Sequence, residues 1–277
     1  MKNMLKKGIA GGLNIIMFFL RNKKKKASLM EFASKILMNK TNEVEYDPDY
    51  DMYWLKDNGE YLYIVPKPYF NFSKDKLFAS IERIACQYYI PKKGDVILDI
   101  GAGIGTETLY FYEKTAHQGQ IYSVEASAAS HSRLESLCKK NKIDISENLH
   151  LAITDSNQKV WIEESDTYQV DAVNKEAKGI AVDGVTLDHL ITERNIHTID
   201  FLKVNIEGSE LQMIEGMQKA IKITKNIAVS CHDFLFDDQR NIKQTMAEFL
   251  ENNGFLVTYN TTGHEVVDSW IYGTQQV

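Results

Sequence analysis

Residues 94–106 read GDVILDIGAGIGT, and this stretch decides the fold. Val96–Ile100 is a short apolar run, as expected for a strand buried on both faces. Gly101, Gly103 and Gly105 then allow the backbone to turn sharply and lie against a ligand before a helix spanning Thr106–Lys114. The same strand-then-helix pattern recurs downstream. Ile121–Glu125 reads as a strand, Ser127–Asn141 as a helix and Leu149–Thr154 as a third strand. Phe201–Ile206 follows, with a helix whose Ser209–x–x–Gln212 fits a capping box. Asn226–Cys231 is a further strand. A helix through Ile242, Met246 and Leu250 stops at Gly254, and Phe255–Tyr259 and Ser269–Tyr272 close the pattern. This alternation predicts an α/β protein with an open, doubly wound, mainly parallel sheet, Rossmann-like, whose ligands sit beyond the carboxyl ends of the strands. Val160–Glu163 and Gly179–Val182 read as an extra hairpin or edge pair.

Upstream, Tyr53–Lys56 and Tyr61–Val65 flank Asp57–Asn58–Gly59, a hairpin signal. Ser73 is a candidate N-cap for a helix over Lys74–Tyr89. The aromatic residues of this stretch suit either a pocket lining or a lid packed on the core. Pro91 and Gly94 mark the expected boundary. The expected organisation is a basic amphipathic segment over 1–26, an aromatic-rich extension over 27–92 and the main domain over 93–277.

The 277 residues are 44% hydrophobic and 25% charged, which excludes intrinsic disorder. Cys86, Cys138 and Cys231 are odd in number and lack CxxC spacing, which disfavours a disulfide scaffold or a zinc site and points to a reducing, cytoplasmic setting. The net charge of −6 conceals a split. Residues 1–26 carry eight Lys/Arg and no Asp/Glu, whereas the other 251 carry 24 basic and 38 acidic side chains. An acidic body gives no general field for gripping phosphate backbones, so nucleic acid is not the expected partner. In the basic head, the uncharged run Gly8–Leu20 spans 13 residues. At 1.5 Å per residue that is roughly 20 Å, short of the ~30 Å hydrocarbon core. A span is not expected, and Arg21 with Lys23–Lys26 stands where a signal-peptide cleavage site would be. One reading is peripheral attachment at the inner face of the membrane; the others are a helix packed on the body and a frayed leader with a solvated lysine run.

Four segments carry candidate chemistry. The glycine turn has the spacing GxGxG rather than the dinucleotide GxGxxG, with Asp99 two residues ahead. A carboxylate there disfavours pyrophosphate and suits a cationic or zwitterionic ligand. Glu125 ends the second core strand, where an acid can accept both hydroxyls of a ribose. In Lys203–Val–Asn205–Ile–Glu207–Gly208–Ser209–Glu210, Asn205 and Glu207 alternate with apolar residues, which aims both at one face. Glu210 is expected to complement the helix dipole. Finally, His232 and Asp233 follow another strand, and a histidine titrating near ~6.5 suits general base work. No GxSxG elbow appears, and Cys231 ends an apolar run unsuited to a nucleophile.

Taken in this order, the segments resemble the FkbM-type family of S-adenosylmethionine-dependent methyltransferases. The resemblance rests on residues 94–106, Val124–Asn141, Leu187–Leu190 and especially 199–217, IDFLKVNIEGSELQMIEGM, and covers roughly residues 90–260. The family pattern often has Asp where Asn205 stands. The resemblance implies a seven-stranded class I methyltransferase sheet, S-adenosyl-L-methionine as cofactor and O-methylation of a sugar, glycan, lipid-linked glycan or natural product. It places the methionyl part of the cofactor at Asp99, Gly101, Ala102, Gly103, Gly105 and Thr106, the ribose at Glu125 and Ala126, and the adenine near Asp155. His232 is the expected base, with Glu207 second and Asn205 and Asp233 orienting. No metal is expected, with a divalent cation at those four residues as the alternative. The rival readings are a nicotinamide-dependent oxidoreductase and a membrane-tethered scaffold with a vestigial cofactor loop.

Overall fold

The computed structural model describes residues 19–163, 172–174, 179–233 and 241–276. The chain forms two compact units, residues 1–79 and 80–277. Among the described residues, no helix is long and apolar enough to cross a membrane. The apolar stripe expected over residues 1–20 lies almost wholly outside the described residues.

In the first unit, helix α1 spans Lys23–Ala33, and the Asn22 side chain accepts the Lys25 N–H at 2.9 Å as its N-cap. A π-helical turn over Ser34–Met38 extends it and ends at Asn39, whose φ is +53°. Strands β1 (Glu43–Asp47), β2 (Met52–Asp57) and β3 (Glu60–Val65) form an antiparallel meander. The β2–β3 hairpin is the expected one. Asn58 and Gly59 both have positive φ, as a two-residue type I′ turn requires. Strand β1 has no comparable sequence signal, because in EVEYD only Val44 is buried. It is held by its partner, whose Trp54 indole donates to Asp47 Oδ2 at 2.7 Å. Tyr53, Trp54, Leu55, Leu62 and Ile64 are all buried, so much of the aromatic content packs this unit's own core.

Helix α2 spans Lys74–Arg83, with Ser73 Oγ accepting the Lys76 N–H at 3.3 Å. It stops six residues short of the expected Tyr89. The Cys86 N–H bonds back to the Ile81 carbonyl, and the Tyr89 hydroxyl donates to Asp95 at 2.8 Å with its ring beside Phe201. The Cys86 bond closes the helix with a local wide turn, and the Tyr89 contacts hold the segment beyond it.

The second unit is built on a seven-stranded sheet. Its strands are β4 (Val96–Ile100), β5 (Gln120–Glu125), β6 (Ser146–His150), β11 (Phe201–Val204), β12 (Asn226–Ser230), β13 (Phe255–Tyr259) and β14 (Trp270–Gln275). Their spatial order is β13-β14-β12-β11-β4-β5-β6. All neighbours are parallel except β14, which runs against both β12 and β13. The chain winds outward through β5 and β6 on one side of β4, then through β11 and β12 on the other. Order therefore reverses between β4 and β11, the topological switch point at which such sheets bind ligands. Helices α3 (Thr106–Lys114) and α4 (Ala128–Asn141) connect the first three strands, and the Ser127 side chain caps α4.

The third strand departs from the expected Leu149–Thr154. Its pairing with β5 runs from Ser146 to His150, and the chain breaks away at Leu151. Residues Ala152–Ile153 (β7) then join a second sheet, ordered β7-β10-β8-β9, in which β8 is Gln158–Glu163, β9 is Ala172–Asn174 and β10 is Ile180–Val185. The two segments expected to form a hairpin or edge pair do pair, as the antiparallel strands β8 and β10, but β9 lies between them in the chain, so they are not a hairpin. The switch between sheets falls just after the exposed His150, inside the segment Leu149–Ile153, which has no Gly, Pro, Asn or Asp to announce a turn. Helix α5 (Leu187–Glu193) leads back to β11.

Candidate active site

Beyond β4 the chain turns at Gly101, whose φ is +74°. The N–H groups of Gly101 and Ala102 both bond the Val124 carbonyl, at 2.9 and 3.0 Å. A Cβ on Gly101 would lie 1.9 Å from the Asn205 carbonyl oxygen, so only glycine lets the turns after β4 and β11 meet. At Gly103, φ is +56° and a Cβ would meet nothing within 4 Å. That position faces an open cleft. The cleft is lined by the glycine turn, by Glu125 and Ala126 after β5, by Leu151–Ile153, and by Asn205–Glu207 and Ser209 after β11. It lies at the topological switch point, where sheets of this kind bind ligands.

Asp99 is not part of the lining. It sits in register with Lys203 on the adjacent parallel strand. The two side chains are 0% and 1% exposed, with Lys203 Nζ 2.9 Å from Asp99 Oδ1. The ammonium also donates to the Gly101 carbonyl at 2.7 Å. Burial works against the lysine's charge, but the Asp99 carboxylate, with Glu107, holds Lys203 above the ordinary lysine value. The Asp99 charge is thus answered from within the sheet, which corrects the expectation that it meets a cationic ligand directly. Its role is to hold the glycine turn through Lys203. A lysine in the four-residue buried strand Phe201–Val204 was the available signal for such a pair.

Glu125 is half-buried at the cleft wall. Its Oε2 accepts the Gly103 N–H at 2.7 Å and its Oε1 the Ser127 N–H at 2.8 Å. These bonds hold the carboxylate rigidly across the glycine turn. Gly105 and Thr106 stand outside the lining. A Cβ on Gly105 would meet Leu134 at 2.7 Å, so that glycine serves packing between α3 and α4. Thr106 Oγ1 donates to Glu107. Ala102 is buried. Asp155 also lies outside the lining, with Ser156 Oγ donating to it at 2.7 Å. The departure of the chain at Leu151 puts Leu151, Ala152 and Ile153 against the cleft instead.

After β11 the backbone leaves strand geometry. Glu207 has φ +50°, so Asn205 and Glu207 reach the cleft from a turn rather than by strand alternation. Helix α6 (Glu210–Gly216) begins without the expected capping box. Ser209 makes no side-chain cap bond, and Gln212 Oε1 is buried without a partner. Glu210, at the first position of α6, is 0% exposed. Its Oε1 accepts from His232 Nδ1 at 2.6 Å and from the Gly208 N–H at 3.1 Å, while Oε2 is buried without a partner. That assignment puts a proton on Nδ1 and turns Nε2 toward Glu207 Oε2, 3.5 Å away, and Ser230 Oγ, 3.4 Å away. Burial opposes charge on His232. The hydrogen bond and charge of Glu210, with the charges of Glu207 and Asp233, outweigh it and raise the imidazole above its ordinary value.

Asp233 serves another purpose than the orienting role expected of it. Its Oδ1 accepts the Ile242 N–H at 2.6 Å and its Oδ2 the Lys243 N–H at 3.0 Å, so it caps helix α7 (Ile242–Asn252). Cys231 is buried and its thiol is pushed up by that burial, which makes it inert at neutral pH. The structure therefore brings Gly101, Gly103, Glu125, Ala126, Asn205 and Glu207 together in one cleft, with His232 touching its edge through Glu207. It adds Lys203 and Glu210, whose positions in a buried strand and a first helical turn look local in sequence.

A search of curated proteins finds no match. The solved methyltransferase FkbM from Methylobacillus flagellatus is 16% identical over 65% of this chain, with a TM-score of 0.46. The aligned region is only 43% of that protein. Aeropyrum pernix fibrillarin, solved with S-adenosyl-L-methionine, is 12% identical over 84% of this chain and 98% of its own, with a TM-score of 0.46. Magnesium protoporphyrin IX methyltransferase from Synechocystis, solved with the same cofactor, is 8% identical over 73% and 79%, with a TM-score of 0.40. The family described as Methyltransferase FkbM domain matches residues 99–257. That match runs from Asp99 into β13 and takes in more than half of the chain, so the protein belongs to the FkbM family of S-adenosylmethionine-dependent methyltransferases.

Proposed function

We propose that this protein methylates a hydroxyl group of a sugar, a glycan, a lipid-linked glycan or a natural product. The observation that supports it best is the buried His232–Glu210 pair, set against Glu207 at the edge of the cofactor cleft. Alcohols are weak nucleophiles, and a base beside the donor pocket is what their methylation calls for. S-adenosylmethionine supplies an electrophilic methyl group when bound, so the protein's work is alignment and proton removal.

The residues present fit that cofactor. Gly103 leaves open space, Glu125 presents a fixed carboxylate, and Leu151 and Ile153 offer apolar walls. We assign the ribose hydroxyls to Glu125 and the methionyl portion to the backbone of the Gly101–Gly103 turn. The Gly103 and Ser127 N–H groups fix the orientation of the Glu125 carboxylate at the cleft wall. Glu125→Ala is expected to weaken S-adenosylhomocysteine binding at least tenfold by calorimetry, with circular dichroism unchanged. Equal affinity in the variant removes the assignment.

At the acceptor, the hydroxyl oxygen would take the methyl group as the carbon–sulfur bond breaks and S-adenosylhomocysteine leaves, and His232 Nε2 would receive the hydroxyl proton. Glu210 and Glu207 stabilise the resulting imidazolium, and Asn205 orients the acceptor. Three buried free cysteines fit a reducing, cytoplasmic setting. A tritiated-methyl transfer screen against cell-envelope glycan and glycolipid fractions tests the reading. Label is expected in a base-stable ether. Label appearing only on nitrogen, or in base-labile esters, overturns the hydroxyl acceptor.

A further inference from the structure

Helix α1 and its π-helical extension bury one face in their own unit through Ala27, Met30, Ala33 and Leu37. The opposite face carries Lys24, Lys25, Ser28, Phe32, Lys35 and Ile36, all exposed. Their recurrence at three and four residues places them on one stripe. Phe32 and Ile36 stand one turn apart at 60% and 62% exposure, and Phe19, just ahead of the helix, is 75% exposed. A single exposed apolar residue is ordinary, but an adjacent pair framed by cations is not.

The charge on this face is of one sign. Lys23 pairs with Asp51 at 2.9 Å, whereas Lys24, Lys25 and Lys35 have no acidic partner among the described residues. The one acid of the helix, Glu31, turns inward and accepts the Val44 N–H at 2.9 Å. We infer that the Lys24–Ile36 face docks on an anionic lipid bilayer, its lysines meeting headgroups while Phe32 and Ile36 enter the interface. Two features single out this occupant. Apolar side chains among lysines match the layered chemistry of a bilayer surface, which offers anionic headgroups above hydrocarbon. A second copy docking through the same face would set lysine against lysine.

This surface differs from the apolar run of residues 1–20 and stands apart from the methyl-transfer reading. Co-sedimentation of the full chain with phosphatidylserine/phosphatidylcholine vesicles tests it, with pure phosphatidylcholine for comparison. Binding to the anionic vesicles is expected to exceed binding to the neutral ones at least tenfold. The full-chain variants F32S/I36S and K24E/K25E should each lose at least tenfold on anionic vesicles, with unchanged circular dichroism. All four targets are exposed, so the fold has no need of them. Parent-like sedimentation of F32S/I36S overturns the proposal. So does a light-scattering shift from dimer to monomer in that variant with sedimentation unaffected, which would make the face a self-association surface.

Discussion

Replacing Lys203 by methionine should lower the unfolding free energy by about 3–5 kcal/mol, the range for breaking a buried ion pair from one side. The expectation follows from where the charges lie. Asp99 and Lys203 are almost wholly excluded from solvent and meet across adjacent strands. Methionine fills much of the volume but leaves the Asp99 carboxylate with only a long bond from Thr108, at 3.4 Å. It also removes the donor to the Gly101 carbonyl. Urea denaturation at pH 7 measures the loss, and a change under about 1 kcal/mol would remove the pair from its central place.

The pH dependence of that variant supplies a second check. Without the ammonium, burial raises the Asp99 pKa further above its unfolded value, so the native state binds the proton more tightly than the unfolded chain. Stability then falls as pH rises from about 4 through the raised value, and recovers on acidification. The double variant D99N/K203M removes both charges and should recover part of the loss.

His232→Ala should reduce methyl transfer by about 10²–10⁴-fold, the usual contribution of a general base. S-adenosylhomocysteine affinity should stay within about threefold, since His232 touches the cleft only through Glu207. A base acts only when neutral, and Glu210, Glu207 and Asp233 raise His232 against the effect of burial. Activity should therefore climb as pH rises through a value above the ordinary ~6.5, then level off. Glu210→Gln removes the charge that holds the imidazolium and should move that climb toward lower pH, with the same displacement in the His232 imidazole titration by NMR. A loss below tenfold for His232→Ala ends its assignment as base. If the NMR displacement appears nonetheless, the Glu210–His232 coupling survives without the catalytic role.

The pair also links to stability. A histidine whose folded pKa is raised contributes stability that is fully present below about pH 6.5 and lost as pH rises through the folded value.

Much of this protein was readable because its signals are local. The run Val96–Ile100 followed by three glycines announces a buried strand and a tight turn into a helix. Asn58–Gly59 dictates a hairpin turn, and Ser73 caps the helix that follows it. Each depends on groups within four residues, which is the range over which backbone dihedrals and capping bonds act. The glycine turn and Glu125 could be placed in one cleft for a related reason: strand ends of a parallel sheet gather on one edge.

Register and distant partners decided the rest. Asp99 and Lys203 are far apart in the chain but adjacent in the sheet, and only that adjacency turns a presumed ligand contact into an internal ion pair. Glu210 faces His232 because α6 follows β11, the strand beside β12. Asp233 reaches forward to cap α7. The segment Leu149–Ile153 divides between two sheets because strands compete for it as partners, and hydrophobicity alone does not choose between them. Sequence alone thus determined the fold class, the turns and the edge where ligands bind, since these follow from short-range stereochemistry and apolar periodicity. Tertiary structure alone decided which carboxylates face the cleft and which are neutralised or spent on caps, because that depends on which strands and helices become neighbours.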